Sequence, residues 1–313
     1  MRILVTGAAG FLGSHLCDSL LDDGHFVIGI DNFFRGNKSN LPQHPNFKFY
    51  EHDLLDLTYL KIIVDIECPE VIVHYAAING TRYFYDIPFK VCDDNIRLTQ
   101  NILLACNKNV KKVVYASSSE VYGPEPKIPT KEDEFIILDT SADRDSYASS
   151  KAIGEFLVRL WAKENNRDFL IVRPFNTYGP RMATNGYGQV IPEFIERIKG
   201  GESFFIYGDG KQTRSFCYVE DHAKIVKELI EKVNNEILNV GFDDEITIYD
   251  LSKIIHEIMN INFNIEFRES WKNDTKWRKP DLSKLKNYVS HNNFVSLREG
   301  IIKMLSDTNN NKF

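Results

Sequence analysis

Apolar runs and helical stretches alternate along the first half of the chain, and few architectures accommodate that rhythm. RILVT ends at Gly7, and FLGSHLCDSLLDDG then repeats its apolar residues at helical spacing until Gly24. The pattern returns as HFVIGID, FKFYEHD with a helical LTYLKIIVDIE, and EVIVHYAA with a helical stretch over about Val91–Asn107. KKVVYASSS, a helix over about Tyr147–Glu164 and DFLIVRPFN complete it. Continuous apolar strands separated by amphipathic helices predict an α/β fold, a doubly wound parallel-sheet Rossmann domain covered on both faces. Ligands in such a sheet sit at the carboxyl ends of the strands. After Asn176 the rhythm loosens, with short runs such as FFIYG and NIEF. The expected division is a Rossmann domain over 1–176 plus about 213–242, and a smaller α/β lobe over about 177–212 plus 243–313.

TGAAGFLG carries glycines at 7, 10 and 13 between the first strand and the first helix. Gly7 allows a tight turn, Gly10 lets the backbone approach a pyrophosphate, and Gly13 permits close helix packing, while the helix N-terminus attracts negative charge. Asp31 closes the second strand, where a carboxylate accepts from a ribose hydroxyl and repels a 2′-phosphate, which favours NAD over NADP. Arg35 reads as a solvated loop residue, although an arginine near that position can welcome a 2′-phosphate. Asp53 either holds the adenine edge or caps the following helix.

Tyr147 and Lys151, in YASSK, lie four apart on one helix face. A nearby ammonium favours the phenolate of a tyrosine, which makes the pair a candidate general base near neutral pH. The serines of YASSSEVYG close a strand that points at the same cleft; Ser117 reads as a turn serine. The charge balance, 38 Lys plus Arg against 44 Asp plus Glu, is interspersed and argues against a nucleic-acid surface. Five scattered cysteines with no C-x-x-C pair imply a reducing compartment and no structural metal. No apolar run approaches a membrane span, glycines interrupt the apolar opening from Gly7, and the expectation is a soluble cytoplasmic protein with a disordered tail, SDTNNNKF.

TGAAGFLGSHL, DNFFRGNKSNL, HDL, HYAA, SSSEVYG, YASSK, RPFNTYGPRM, YGDGKQTRSFCYVED and RKPD together resemble the extended short-chain dehydrogenases that modify nucleotide sugars. The resemblance covers nearly the whole chain. It implies an NAD-dependent enzyme in which hydride leaves C4 of the sugar while Tyr147 takes the hydroxyl proton. Lys151 would bind the nicotinamide ribose and lower the tyrosine pKa, and Ser118 would hydrogen-bond the same hydroxyl. Further cofactor contacts are implied at Phe11, Leu12, Asn32, Leu54, Ala76, Ala77 and Asn95. Asn176, Arg214 and Arg278 match residues that meet the substrate phosphates, and Tyr207 and Val190–Pro192 match segments lining the base. Ser119 also falls in the substrate set. Family members commonly form homodimers by pairing two helices from each subunit, here those near 91–107 and 147–164.

Glu120 bears on the reaction. C4 epimerases generally lack an acid there, whereas a carboxylate beside the sugar looks suited to moving another proton, such as the C5 hydrogen made acidic by a 4-ketone. Many 4,6-dehydratases place an aspartate where this chain has Ser119, although GDP-mannose dehydratases also carry Ser-Glu. Uronate decarboxylases match at SSE, RPFNTYGPRM and RKPD, with Arg278 near a carboxylate, but depart at AAINGTRYFYDIP. Asn79–Tyr85 borders the expected sugar pocket; Arg82 and Tyr83 have no assigned role. The expected activity is C4 oxidation of a nucleotide-linked hexose or heptose, with the 4-keto sugar as product or as dehydration intermediate. A decarboxylase or a C4 epimerase is the alternative, and a non-catalytic dinucleotide-binding regulator is the rival of another class.

Overall fold

The computed structural model of the chain describes residues 1–183, 189–201, 203–269, 275–291 and 293–310. Seven strands form the main sheet: β1 (Arg2–Thr6), β2 (Phe26–Asp31), β3 (Phe47–Glu51), β4 (Val71–His74), β5 (Lys112–Ala116), β6 (Asp168–Pro174) and β11 (Glu236–Val240). Their order is β11-β6-β5-β4-β1-β2-β3, and every pairing is parallel. From β1 the chain winds first to β2 and β3, then crosses to β4 on the other side. That reversal opens a crevice at the carboxyl ends of β1 and β4.

The helices between the strands cover both faces. α1 (Phe11–Asp22) and α7 (Val219–Lys232) lie on one; α2 (Leu57–Glu67), α4 (Pro88–Ala105) and α5 (Asp145–Asn165) lie on the other. Strand alternation sorts the core accordingly: Ile3 and Val5 of β1 join the cluster with Leu16, Leu20, Ile225 and Leu229, while Leu4 joins Leu60, Val64, Ile102 and Val158. α4 begins three residues before its expected start because Pro88, which needs no N–H partner, occupies its first turn. A short helix not expected from the sequence, α3 (Thr81–Asp86), precedes it.

The smaller lobe is assembled from short strands. β7 (Thr177–Tyr178) pairs with β10 (Cys217–Tyr218), and β8 (Phe205–Tyr207), from FFIYG, pairs with β13 (Glu266–Arg268), partly from NIEF. β9 (Thr213–Ser215) pairs with β12 (Glu245–Thr247) and β14 (Trp277–Arg278). Thr213–Ser215 therefore sits in a lobe sheet, whereas Leu282 and Leu285, far into the second half, pack against the core of the main sheet. α6 (Val190–Lys199), α8 (Ile248–Met259) and α9 (Leu297–Asn310) enclose an aromatic-rich core with Tyr178, Phe194, Phe204 and Phe216. The tail departs from the disorder expected of SDTNNNKF: α9 continues through Ser306 to Asn310, anchored by the buried Ile301 and Met304. The last three residues lie outside the described ones. Among the described residues no helix is long and apolar enough to cross a membrane.

Candidate active site

A cavity of about 1040 Å³ runs along the carboxyl ends of the main strands and under the smaller lobe. At one end lies the glycine turn. Gly7 has φ +70°, and its N–H reaches the carbonyl of Ile30 at 2.8 Å. A Cβ on Gly13 would stand 2.1 Å from the Gly7 carbonyl oxygen, so only glycine lets α1 start this close to the turn. Asp31 ties the turn to the second strand, accepting from Ala9 N at 3.0 Å and Phe33 N at 2.7 Å. Burial pushes its carboxyl up, against the pull of those amides.

Gly7, Gly10, Phe11, Leu12, Gly13, Asp31, Asn32, Asp53, Leu54, Ala76 and Ala77 all border the cavity. This cradle fits a dinucleotide: a glycine-lined helix N-terminus for the pyrophosphate and a carboxylate at the next strand end. Asp53 does not cap α2. It accepts from Asn32 Nδ2 at 3.1 Å and Leu55 N at 2.9 Å, while Asp56 caps the helix through Tyr59 N. Asn95 does not border the cavity. It is buried one layer deeper, exchanging hydrogen bonds with both backbone groups of Ile78 at 2.7 and 3.1 Å, and so braces the strand exit behind Ala76 and Ala77. Arg35 is not a solvated loop residue: it borders the cavity, donates to the carbonyl of Asn79 and lies near enough to favour the Tyr147 phenolate.

The candidate reactive residues converge from β5 and α5. Tyr147 and Lys151 are buried on the face of α5 that meets the sheet. Lys151 Nζ donates to the carbonyl of Ala116 at 2.7 Å and lies 5.7 Å from the Tyr147 ring centre. Burial lowers the Lys151 pKa to about 7 despite the opposing pull of Glu155. Burial raises that of Tyr147, and a hydrogen bond with Ser118 opposes the rise. Phe84 of α3 stacks on the Tyr147 ring, centres 4.9 Å apart and planes within 14°. This contact gives the 79–85 segment a place against the reacting group that its sequence did not reveal.

Beyond β5 the chain makes a 3₁₀ turn over Ser119–Tyr122, in which Ser118 Oγ accepts from Glu120 N at 3.2 Å. Arg278, brought in by β14, is 2 % exposed and reaches Glu120 Oε1 at 3.2 Å and Ser119 Oγ at 3.3 Å. It also donates to Thr275 Oγ1 at 3.0 Å. The sequence reading placed Arg278 both at the phosphates and near a carboxylate; the carboxylate it meets here is Glu120. Arg144, which the sequence did not single out, lies 3.7 Å from the same carboxylate. Burial would push the Glu120 carboxyl up, but Arg278, Arg144 and Arg214 together hold it below the ordinary range. Glu120 is therefore ionised at neutral pH. Asn176, held at φ +33° with its amide on the carbonyl of Ser215, borders the cavity with Val190, Tyr207 and Arg214.

Comparisons with known proteins bear on the family and the fold. Residues 3–241 match the model of the "NAD dependent epimerase/dehydratase family". UDP-glucuronic acid decarboxylase 2 of Arabidopsis thaliana is 36% identical over 98% of this chain and 68% of its own length. The UDP-N-acetyl-alpha-D-glucosaminuronate decarboxylase of Bacillus cytotoxicus is also 36% identical, over 96% of this chain and 95% of its own. Among solved structures, the UDP-glucose 4-epimerase of Thermotoga maritima with UDP-glucose superposes with a TM-score of 0.92 at 31% identity, covering 99% of both chains. The UDP-glucuronic acid 4-epimerase of Bacillus cereus, in complex with UDP-glucuronic acid and NAD, gives 0.88 at 30% identity, again over 99% of both.

Proposed function

The chain belongs to the NAD-dependent epimerase/dehydratase family, and from that premise we propose that it oxidises C4 of a nucleotide-linked uronate and then releases the sugar carboxylate as carbon dioxide. Bound NAD would accept the C4 hydride and later return it. Tyr147, as phenolate, takes the proton of the C4 hydroxyl, Ser118 hydrogen-bonds the same oxygen, and the Arg35 guanidinium together with the protonated form of Lys151 favours the phenolate. A 4-keto uronate is a β-keto acid: when its C5–C6 bond breaks, the electron pair moves into the C4 carbonyl, and C5 then takes a proton from water so that the ketone re-forms before the hydride returns to C4. The resulting enolate oxygen lies where the Ser118 hydroxyl and the newly protonated Tyr147 can donate to it.

The observation that carries this reading is the convergence of Arg278, Arg144 and Arg214 on Glu120. Three guanidiniums against one carboxylate suit a substrate that is anionic at the sugar as well as at the diphosphate. The same arrangement counts against dehydration. Protonating a departing C6 hydroxyl needs an acid, yet Glu120 is ionised and the neighbouring Ser119 hydroxyl faces Arg278. The two decarboxylase relatives, which act on uronates by their names, support the same choice.

The cofactor contacts at the glycine turn and at Asp31 belong to this proposal, as does the diphosphate at Asn176 and Arg214. So does a homodimer: α4 and α5 expose Phe89, Leu104, Ile153, Phe156 and Leu160, an apolar set suited to a helix-pair interface. The test is incubation with UDP-glucuronate, UDP-N-acetylglucosaminuronate, UDP-glucose and GDP-mannose, following NADH absorbance and carbon dioxide together. Carbon dioxide from a uronate, with only transient NADH, is expected. Lasting NADH or a 4-keto-6-deoxy product from an uncharged sugar, with no carbon dioxide from either uronate, would overturn the decarboxylase reading.

A further inference from the structure

The turn that carries Ser118, Ser119 and Glu120 hangs between two residues that lead to one buried ion pair. At its start Ser117 donates its hydroxyl to Glu155 Oε1 and its N–H to the carbonyl of Val172 at 2.8 Å. At its end the Tyr122 hydroxyl accepts from Arg173 at 2.8 Å and donates to Asn239 Oδ1 at 2.8 Å. Arg173 grips Glu155 with two parallel bonds, Nε to Oε1 at 2.9 Å and Nη2 to Oε2 at 2.7 Å. The two side chains are only 4% and 6% exposed.

A pair this dry gains little net stability, because desolvating both charges offsets most of their attraction. Its placement is more telling. Glu155 lies one helical turn beyond Lys151 and two beyond Tyr147, so one face of α5 carries the proton acceptor, its ammonium and the anchor of the turn. Lys151 holds Ala116, directly before Ser117, through its carbonyl. Both ends of the turn are thus referenced to the helix that presents Tyr147.

We propose that Glu155 and Arg173 are positioning residues for C4 oxidation, their ion pair fixing both ends of the 117–122 turn so that Ser118 meets Tyr147 at the C4 hydroxyl. The inference rests on the C4-oxidation step of the proposed function and is independent of the sugar's later fate. Ser117 and Tyr122 can each be disconnected without unpairing the charges, which separates positioning from a merely structural role.

The experiment measures single-turnover NADH formation by the full chain with excess NAD and the nucleotide sugar that the wild type oxidises fastest. It compares wild type, Ser117→Ala, Ser117→Thr and Tyr122→Phe, with KM and Tm recorded for each. Misplacing a reacting group by a fraction of an ångström predicts a rate loss of about tenfold for Ser117→Ala and for Tyr122→Phe. KM should stay near the wild-type value, and Ser117→Thr, which keeps the hydroxyl, should recover most of the rate. Wild-type rates in both truncated variants would overturn the proposal, and so would losses confined to KM or Tm. A wild-type chain that reduces NAD with no nucleotide sugar would instead sink the C4-oxidation reading, and the positioning role with it.

Discussion

Replacing Arg278 with methionine should separate the two halves of the proposed reaction. The guanidinium lies 3.2 Å from Glu120, with its own side chain 3% exposed and that of Glu120 32%. At that distance and an effective dielectric of about 20, the attraction is roughly 5 kcal/mol before desolvation is subtracted. Arg144, 3.7 Å from the same carboxylate, offers roughly 4.5 kcal/mol on the same basis and stays in the variant. Glu120 thus keeps a partner, and methionine occupies part of the arginine stem's space without a charge to bury. The net stability loss should be about 1–2 kcal/mol, a fall in Tm of about 2–5 °C. The proposed oxidation at C4 relies on Tyr147, Ser118 and Lys151, so the first burst of NADH should remain within about threefold of wild type. Carbon dioxide release should drop by about a hundredfold, comparable to losing a preorganised charge at a reacting centre. NADH should then persist, because the 4-keto sugar waits unreacted. Rapid-mixing absorbance, carbon dioxide capture and thermal melts on one preparation give all three quantities. If Arg278→Met abolished the NADH burst as fully as Tyr147→Phe, the assignment of Arg278 to the later step would be wrong.

The glycine turn gives a contrast between two alanines. Gly13→Ala must displace the backbone of Gly7, and strain of about 1–3 kcal/mol predicts a ten- to hundredfold weaker NAD Kd by titration calorimetry. Gly24→Ala has no atom within 4 Å of its Cβ but φ +78°, so it should cost about 1 kcal/mol in unfolding and leave NAD binding alone. For Lys151, burial lowers the pKa to about 7, while an unfolded chain keeps the proton to much higher pH. The unfolded state therefore binds more protons above about pH 7, and this residue should make stability rise with pH from there towards about pH 10. Denaturant unfolding across that window should show a smaller rise in Lys151→Met than in wild type, the variant keeping the share of Lys112, which burial lowers to about 8. The proposed helix-pair dimer predicts that a charge at Phe156 or Leu160 shifts sedimentation towards a monomer, with little change in Tm.

The main sheet was legible because its signals are local. β1, the glycine turn, α1 and Asp31 follow one another within about thirty residues, and each has a backbone reason to be where it is. Tyr147 and Lys151 share one helix face by spacing alone. What sequence did not reveal depends on distant chain segments meeting. Arg144 sits three residues before Tyr147 with nothing local to mark it, and its partner Glu120 is 24 positions earlier. The Arg278 carboxylate partner lies 158 positions away, and Phe84 reaches Tyr147 from a helix too short to leave a periodic pattern. Ser117 looked like turn chemistry because its bond to Glu155 crosses from a strand exit to a helix.

The strand that delivers Arg278 contains two residues, and its ladder joins β9 rather than the main sheet. In the proposed reaction, C4 oxidation and the handling of its product thereby draw on different sheets. Tyr147, Lys151 and Ser118 are set at the central sheet and its helix, with Glu120 and Arg144 beside them, whereas Arg278, which faces Glu120, is carried on a small sheet at the lobe. A lineage could exchange the side chain at this one position, or shift that short ladder by a residue, and inherit an intact C4 oxidation with a different sequel. On this scaffold, the proposed change of sequel would act through the short ladder opposite Glu120 and leave the Tyr147–Lys151 pair in place.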